Sequence, residues 1–465
     1  MAIPTTVHDL IDRYQNTYSQ TNQGAETADI VVRSPEVLDQ TVISVLMHDV
    51  LGRVQIIMPY NALLDVDKLN SQTSRNLQAL SPDDVESIRV RHSLVDLPAL
   101  PDITGLPCIV DQSVLNMEQI FVAAGDGESL VRFSSDLFAT VIEKAKVESF
   151  AVPLHLIKAN LCDPSEDVAQ IHEAIQKFTY LRIKQRLEDT LELPPLPQTA
   201  QRIIHLRADP EAGINELSDV VEMDPSLSAQ VVSWASSSFY AAPGKVKSVH
   251  DAIIRVLGFE LVMNLSMGLA LGKTLAQPKD EPEGLTPYWH QAVWMATACG
   301  ALVNLIPRDS RPEFGLTYLA GLLHNLGYLV LAHVFPPHFT LICRYVEANR
   351  HLDNAFVEHY LIGITREQVG SKLMQIWNIP EEVVMALRHQ KNPEFRGGNA
   401  KYSSLLFVAR ALLVKNGIAI GVNEDVPAEL YEFLELEQER AEEVIADLAA
   451  ARDEILRMAG MMESP

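Results

Sequence analysis

The 465-residue sequence predicts an α+β domain followed by an all-α domain, on three observations. Short runs rich in β-branched residues, such as TVISVLMHD and GRVQIIMP, are confined to the first third of the chain. After the Pro-rich punctuation LPPLPQ, Leu193 to Gln198, almost everything carries helical period and strand signals nearly vanish. The length also exceeds what one hydrophobic core usually spans, so more than one domain is expected.

Taken in order, residues 1–29 read as an N-terminal helical extension. Residues 30–155 form the α+β domain: TVISVLMHD, GRVQIIMP, PCIVDQ and QIFVAAG read as strands. Between and after them, LLDVDKLNSQ, SPDDVESI and SSDLFATVIEKA read as helices, with Ser81 and Ser134 as N-caps. Residues 156–192 hold a long periodic helix starting near Ser165, expected to act as a spacer. Residues 193–416 form the helical domain. Residues 417–465 are an acidic helical segment, with Ala428 to Met458 as one amphipathic helix or a pair bearing a solvated face.

Composition removes several classes of function. A formal net charge of -24 repels phosphate backbones, so tRNA is not a favoured partner unless arginines such as Arg33, Arg89 and Arg91 cluster locally in a groove. Four scattered cysteines, Cys108, Cys162, Cys299 and Cys343, form no CxxC pair and suggest neither a disulfide framework nor a zinc site. The start MAIPTTVHDLIDRYQ has no basic segment followed by an apolar one, which points to the cytoplasm. Leu316 to Phe335 is the stretch nearest to a membrane span, but its two His and one Asn fit a buried helix better, and no membrane partner is expected. Phosphate-loop, GxSxG and HExxH motifs are absent from the sequence.

The run LPPLPQTAQRIIHL, with MDPSLSAQVV, SSFY before a glycine loop and HDAIIRVLG leading into a long apolar helix, resembles the HDOD family. The resemblance covers roughly Leu193 to Asn416. It implies a fold similar to the HD-domain metal phosphohydrolases, whose sites hold divalent metal through a His, an adjacent His-Asp pair and a distal Asp. Such chemistry needs hard and borderline ligands that activate a water. By this resemblance His290 stands at the first His and His324 at the pair, but Asn325 replaces the Asp. In VARALL, Arg410 falls where the distal Asp would be, and it has no lone pair to donate. Members that resemble the HD-GYP phosphodiesterases carry further histidines; here His389 is kept, beside Arg366 and Gln390. These histidines then read as core residues of a vestigial site, with no metal and no cofactor expected. The family is generally taken to work in signal transduction.

The first domain, from LDQTVISVLMHD through GLPCIVDQ to AAGDGESL and its closing helix, resembles the aminoacyl-tRNA deacylase domains of the YbaK and prolyl-tRNA-synthetase-associated type. Those domains use a Lys before the first strand and a Gly-Pro loop to hold a misacylated ester. Here Gln40 stands at the Lys position, and an amide cannot stabilise a developing oxyanion as a cation does. Pro98, Pro101, Asp102 and Gly105 keep something of the loop, though Pro and Gly serve any surface turn equally well.

Both resemblances imply enzyme folds that have lost charged residues at the chemical positions. The sequence is read as a non-catalytic regulatory protein acting through an unidentified protein partner or a small-molecule ligand. An active metal-dependent phosphodiesterase at His290, His324 and Asn325, a deacylase at Asp102 to Gly105, and an oligomeric scaffold stay open as alternatives.

Overall fold

The computed structural model describes residues 3–22, 28–183, 195–240, 244–419 and 421–463. Leu193 and Pro194 of the LPPLP opening and the end of the expected spacer helix lie outside the described residues. The chain divides into two compact units, one of Met1–Lys158 with Glu281–Gly284 and Thr340–Val357, the other of Ala159–Asp280, Leu285–Phe339 and Glu358–Pro465.

The first unit is built on a mixed sheet. Its strands are β1 (Asp29–Val32), β2 (Thr41–Asp49), β3 (Gly52–Pro59), β4 (Ala62–Leu64), β5 (Gln78–Ala79), β6 (Cys108–Asp111), β7 (Gln119–Ala123), β8 (Ser129–Ser134), β9 (Lys146–Glu148) and β10 (Ala151–Pro153). The main path runs β1-β8-β7-β2-β3-β6-β9, with β5 beside β2, while β10 and β4 pair separately. A tight hairpin pairs Asp49 with Gly52 and sets the β2–β3 register out to Val42 opposite Pro59. β7 and β6 then add parallel to β2 and β3 respectively. TVISVLMHD and GRVQIIMP coincide with β2 and β3.

Helix starts follow the capping chemistry expected from the sequence. Ser81 accepts from Asp84 N–H at 3.2 Å to begin Pro82–Arg91, and Ser134 accepts from Leu137 N–H at 3.2 Å to begin Ser135–Val141. The N-terminal segment is a helix, Thr5–Asn22, whose Val7, Leu10 and Tyr14 are buried in one core cluster with Val110, Phe133 and Phe138. It therefore contributes apolar burial to this unit.

Residues 340–357 enter the first unit through side chains that imitate a sheet neighbour. Asn349, 1% exposed, accepts from Leu64 N–H at 2.6 Å and donates to Leu64 O at 3.1 Å, satisfying the free edge of β4 as a strand would. Tyr345 Oη donates to Asp65 Oδ1 at 2.9 Å, and His351 Nε2 lies 3.0 Å from Ala62 O. No periodicity in the sequence signals these contacts.

The second unit is all-helical. Asp224 caps Pro225–Ala235 by accepting from the N–H groups of Ser226 and Leu227 at 3.0 and 3.1 Å, as MDPSLSAQVV suggests. The helix Asp167–Ile183, expected as a spacer, is anchored at its start. Asp167 receives Arg388 Nε at 2.5 Å and Nη2 at 2.8 Å, and Gln368 Nε2 at 2.8 Å, with both charged groups buried. A buried charge must be paired, so this contact fixes the helix start within the unit. The acidic C-terminal segment forms three helices, Ala428–Leu434, Gln438–Ala450 and Arg452–Glu463, and buries Leu434, Ile445 and Met458. One of its breaks falls at Glu435, whose φ is 55°.

Phe314–Val334, 21 residues, is long and apolar enough to cross a membrane, and its most apolar window is 89% buried within the protein. All four cysteines are free, three of them buried, and burial pushes the Cys108 thiol up to about 12. That thiol is not poised as a nucleophile.

Candidate functional site

In the helical unit, glycines on either side of His324 and Asn325 decide what surrounds them. The helix Phe314–Leu323 meets Tyr288–Val303 so closely at Gly321 that an added Cβ would lie 2.6 Å from Ala296 Cα. On the other side Leu326–Val334 meets Arg366–Ile376 at Gly327, where an added Cβ would lie 1.9 Å from Arg366 O. These contacts set the His290 helix on one flank and Arg366 on the other.

Asn325, 5% exposed, ends one helical segment and precedes the next. Its Nδ2 donates to Gln291 Oε1 at 3.0 Å, and its Oδ1 accepts from Arg366 Nη1 at 3.0 Å. Arg366 in turn pairs with Glu358, which is fully buried, through Nε at 2.5 Å and through its backbone N–H at 2.8 Å. The guanidinium also lies 5.2 Å from the centre of the Tyr328 ring. Burial pushes the Glu358 carboxyl up against the pull of Arg366. Burial pulls Arg366 down, but the negative charges of Glu358 and then Glu367 together outweigh it and hold the guanidinium above its ordinary value.

His324 Nδ1 lies 2.8 Å from Gly321 O, and its own carbonyl accepts from Gln390 Nε2 at 2.9 Å. Desolvation pushes its imidazole down to about 4; the Gly321 carbonyl opposes that, and the positive charges of Arg366 and Arg410 add to it. His290 is partly buried near the start of Tyr288–Val303. His389 is 1% exposed and stacks on Phe395 with ring centres 3.7 Å apart and planes 4° from parallel. Burial and then Arg388 push it to about 4 as well, so it is neutral at ordinary pH. Arg410 Nη2 donates to Glu424 at 2.7 Å, and its guanidinium lies over Phe407.

A divalent metal does not fit this donor set. The oxygen that Asn325 could offer already accepts from Arg366, and Arg366 and Arg410 place positive charge around His324. Among the described residues no group of three or more His, Cys, Asp or Glu is placed to hold a metal ion. Gln291 and Glu358 were not singled out from the sequence. The lone carboxylate in the apolar helix NAFVEHYLI was the available signal, because a buried Glu requires a partner.

In the first unit, Gln40 is exposed at the end of the 3-10 turn Pro35–Gln40. Pro101–Thr104 forms a single helical turn closed by Gly105, whose φ of 63° favours glycine and whose N–H donates to Pro101 O at 3.1 Å. Buried Gln55 holds this loop, accepting from Thr104 Oγ1 at 2.6 Å and donating to Pro98 O at 3.4 Å. Asp102 faces the N-terminal helix, 3.9 Å from Arg13, and with burial it pushes the Tyr14 phenol up. Gln40 makes no hydrogen bond to this turn among the described residues. Of the three arginines named from the sequence, Arg33 and Arg89 line one cavity, while Arg91 is exposed.

Residues 193–393 match the HDOD domain family. The whole chain is similar to a crystal structure of a provisionally named signal transduction protein from Marinobacter aquaeolei VT8, with 47% identity, 96% of this chain and 99% of that one covered, and a TM-score of 0.88. It is also 24% identical over 210 residues to an uncharacterised protein of Treponema pallidum (strain Nichols). That match takes in 45% of this chain and spans 39% of the curated relative's length. A provisionally named trans-editing enzyme for prolyl-tRNA synthetase aligns over 30% of this chain and 94% of its own, at 18% identity and a TM-score of 0.24. With its mixed-sheet unit preceding the matched helical domain, the chain belongs to the HDOD-domain proteins.

Proposed function

We propose that the protein is a non-catalytic regulatory protein of the cytoplasm that acts by binding a protein partner or a small ligand. The observation that carries this reading is the Arg366 guanidinium, held on Glu358 and donating to Asn325 Oδ1 at 3.0 Å. A fixed cation there opposes a second one by direct repulsion. The position is thus filled by a charge that cannot polarise a water as a Lewis acid does. The name of the Marinobacter protein, which speaks of signal transduction, supports the regulatory half of the reading. Four free thiols and the burial of the apolar stretch Phe314–Val334 support a reducing, aqueous compartment.

In the first unit the reading rests on Gln40 and on the loop at Asp102, whose groups are engaged with Gln55 and the N-terminal helix. The test is hydrolysis of bis(p-nitrophenyl) phosphate with added manganese, beside deacylation of mischarged tRNA. Neither substrate should turn over above background. Phosphodiesterase activity abolished by His324→Ala, or deacylation abolished by Asp102→Asn, would overturn the proposal.

A further inference from the structure

We propose that the first unit binds a small amphipathic organic anion, an apolar body bearing one carboxylate or phosphate, in the cavity between β2 and the helix Pro82–Arg91. The cavity measures about 410 Å³, within the usual range for small-molecule sites. Ile43, Val45, Leu80, Val85 and Leu97 give it an apolar lining.

Its polar side carries three guanidinium groups, Arg33, Arg89 and Arg350. They stand against two lining carboxylates, Asp96 and Glu347, which concentrates cations locally in a chain of net charge -24. The lining carboxylates are already engaged: Asp96 pairs with Arg33 at 2.5 Å, and Glu347 lies 3.2 Å from Arg344 and accepts from Glu283 N–H at 2.8 Å. Arg350 spends Nη2 on Glu283 O at 2.6 Å.

Two donors of the lining are left over. Arg89 gives Nη1 to Val95 O at 2.8 Å and Nη2 to Glu86, but its Nε is buried without a hydrogen-bond partner. Ser44 Oγ is buried and unpartnered in the same way. Buried donors are rarely left unpaired in a native protein, and an anion's oxygens would accept from both. An apolar wall with unspent donors beside three guanidinium groups selects a ligand with an apolar body and a single anionic head. The inference goes beyond the reading of the helical unit and does not depend on it.

The experiment is isothermal titration of the full chain with octanoate, 4-phenylbutanoate and phenyl phosphate, beside neutral octanamide, 4-phenylbutanamide and phenol. Saturable one-to-one binding of at least one anion is expected, with its neutral counterpart about tenfold weaker or more. The carboxylate and phosphate arms identify the head group. Ala123→Phe, which fills the cavity, should abolish binding, and Arg89→Gln should weaken it about tenfold in a variant that still unfolds cooperatively. Absence of binding by all three anions would overturn the proposal, as would equal binding of the neutral compounds. So would anion binding that a folded Ala123→Phe or Arg89→Gln variant leaves unchanged.

Discussion

In the helical unit both ends of the Asn325 amide and the Arg366 guanidinium are spent on partners, although both ring nitrogens of His389 and Arg410 Nε stay buried without one, whereas the lining beside β2 in the mixed-sheet unit has no such closed cluster. Asn325 uses both ends of its amide, and Arg366 is shared between Asn325 and Glu358. Beside β2, Arg89 Nε and Ser44 Oγ stay unpartnered in a lining that carries more guanidinium than free carboxylate. The two regions teach how a polar cluster can be closed or kept open. A cluster that supplies its own counter-charge is structural, while one with surplus donors is left to be completed from outside.

The comparison breaks most completely at Gly327. Gly327→Ala would drive a methyl group against the Arg366 backbone, so it should cost about 4 kcal/mol or more, or prevent folding, as read from urea denaturation. Next is Glu358→Gln, which takes the main counter-charge from buried Arg366 and should cost about 3–5 kcal/mol. The paired change Glu358→Leu with Arg366→Met should cost much less than Glu358→Gln alone, because no charge is then stranded. A double variant as unstable as the single one would show that the cluster is not held by charge compensation.

The buried histidines sharpen the contrast through pH. His324, His351 and His389 are each pushed down to about 4, in every case first by burial. Between about 6.5 and 4 the unfolded chain takes up protons that the folded chain refuses. Their contribution is therefore fully present above about 6.5 and is lost as the pH falls towards 4, at up to about 1.4 kcal/mol per pH unit per group. Glu358, raised by burial, acts in the opposite direction. His389→Phe should flatten the measured slope of stability against pH, and an unchanged slope would mean that His389 is already protonated or freely hydrated. The smallest effect belongs to Arg53, whose exposed pair with Asp84 is worth 0–1 kcal/mol, so Arg53→Gln should barely move the unfolding midpoint.

Much of this was legible in the residues because local chemistry determines it. β2, β3 and the caps at Ser81 and Ser134 follow from alternation, turn residues and hydroxyl acceptors at helix starts. That His324 and Asn325 need partners was legible too, since polar residues in so apolar a run demand them. The partners themselves were not. Gln291 meets Asn325 directly and Glu358 meets it only by way of Arg366, through helix contacts at Gly321 and Gly327, and no spacing rule encodes tertiary approach. The same holds for Asn349 standing in as a strand neighbour to Leu64, which depends on contacts 285 residues apart. Arg33, Arg89 and Arg91 were named only as arginines that could cluster in a groove; the first two meet in a cavity lined partly by residues near 350, beyond the reach of local reading.

The central claim is that Arg366 holds, within the helical unit, the charge that a metal would otherwise supply. Elemental mass spectrometry on untagged protein purified without chelator, beside a His324→Ala control, tests it most directly. The account predicts no stoichiometric iron, manganese or zinc in either sample. Near-stoichiometric metal in the unaltered protein that disappears from the control would contradict it.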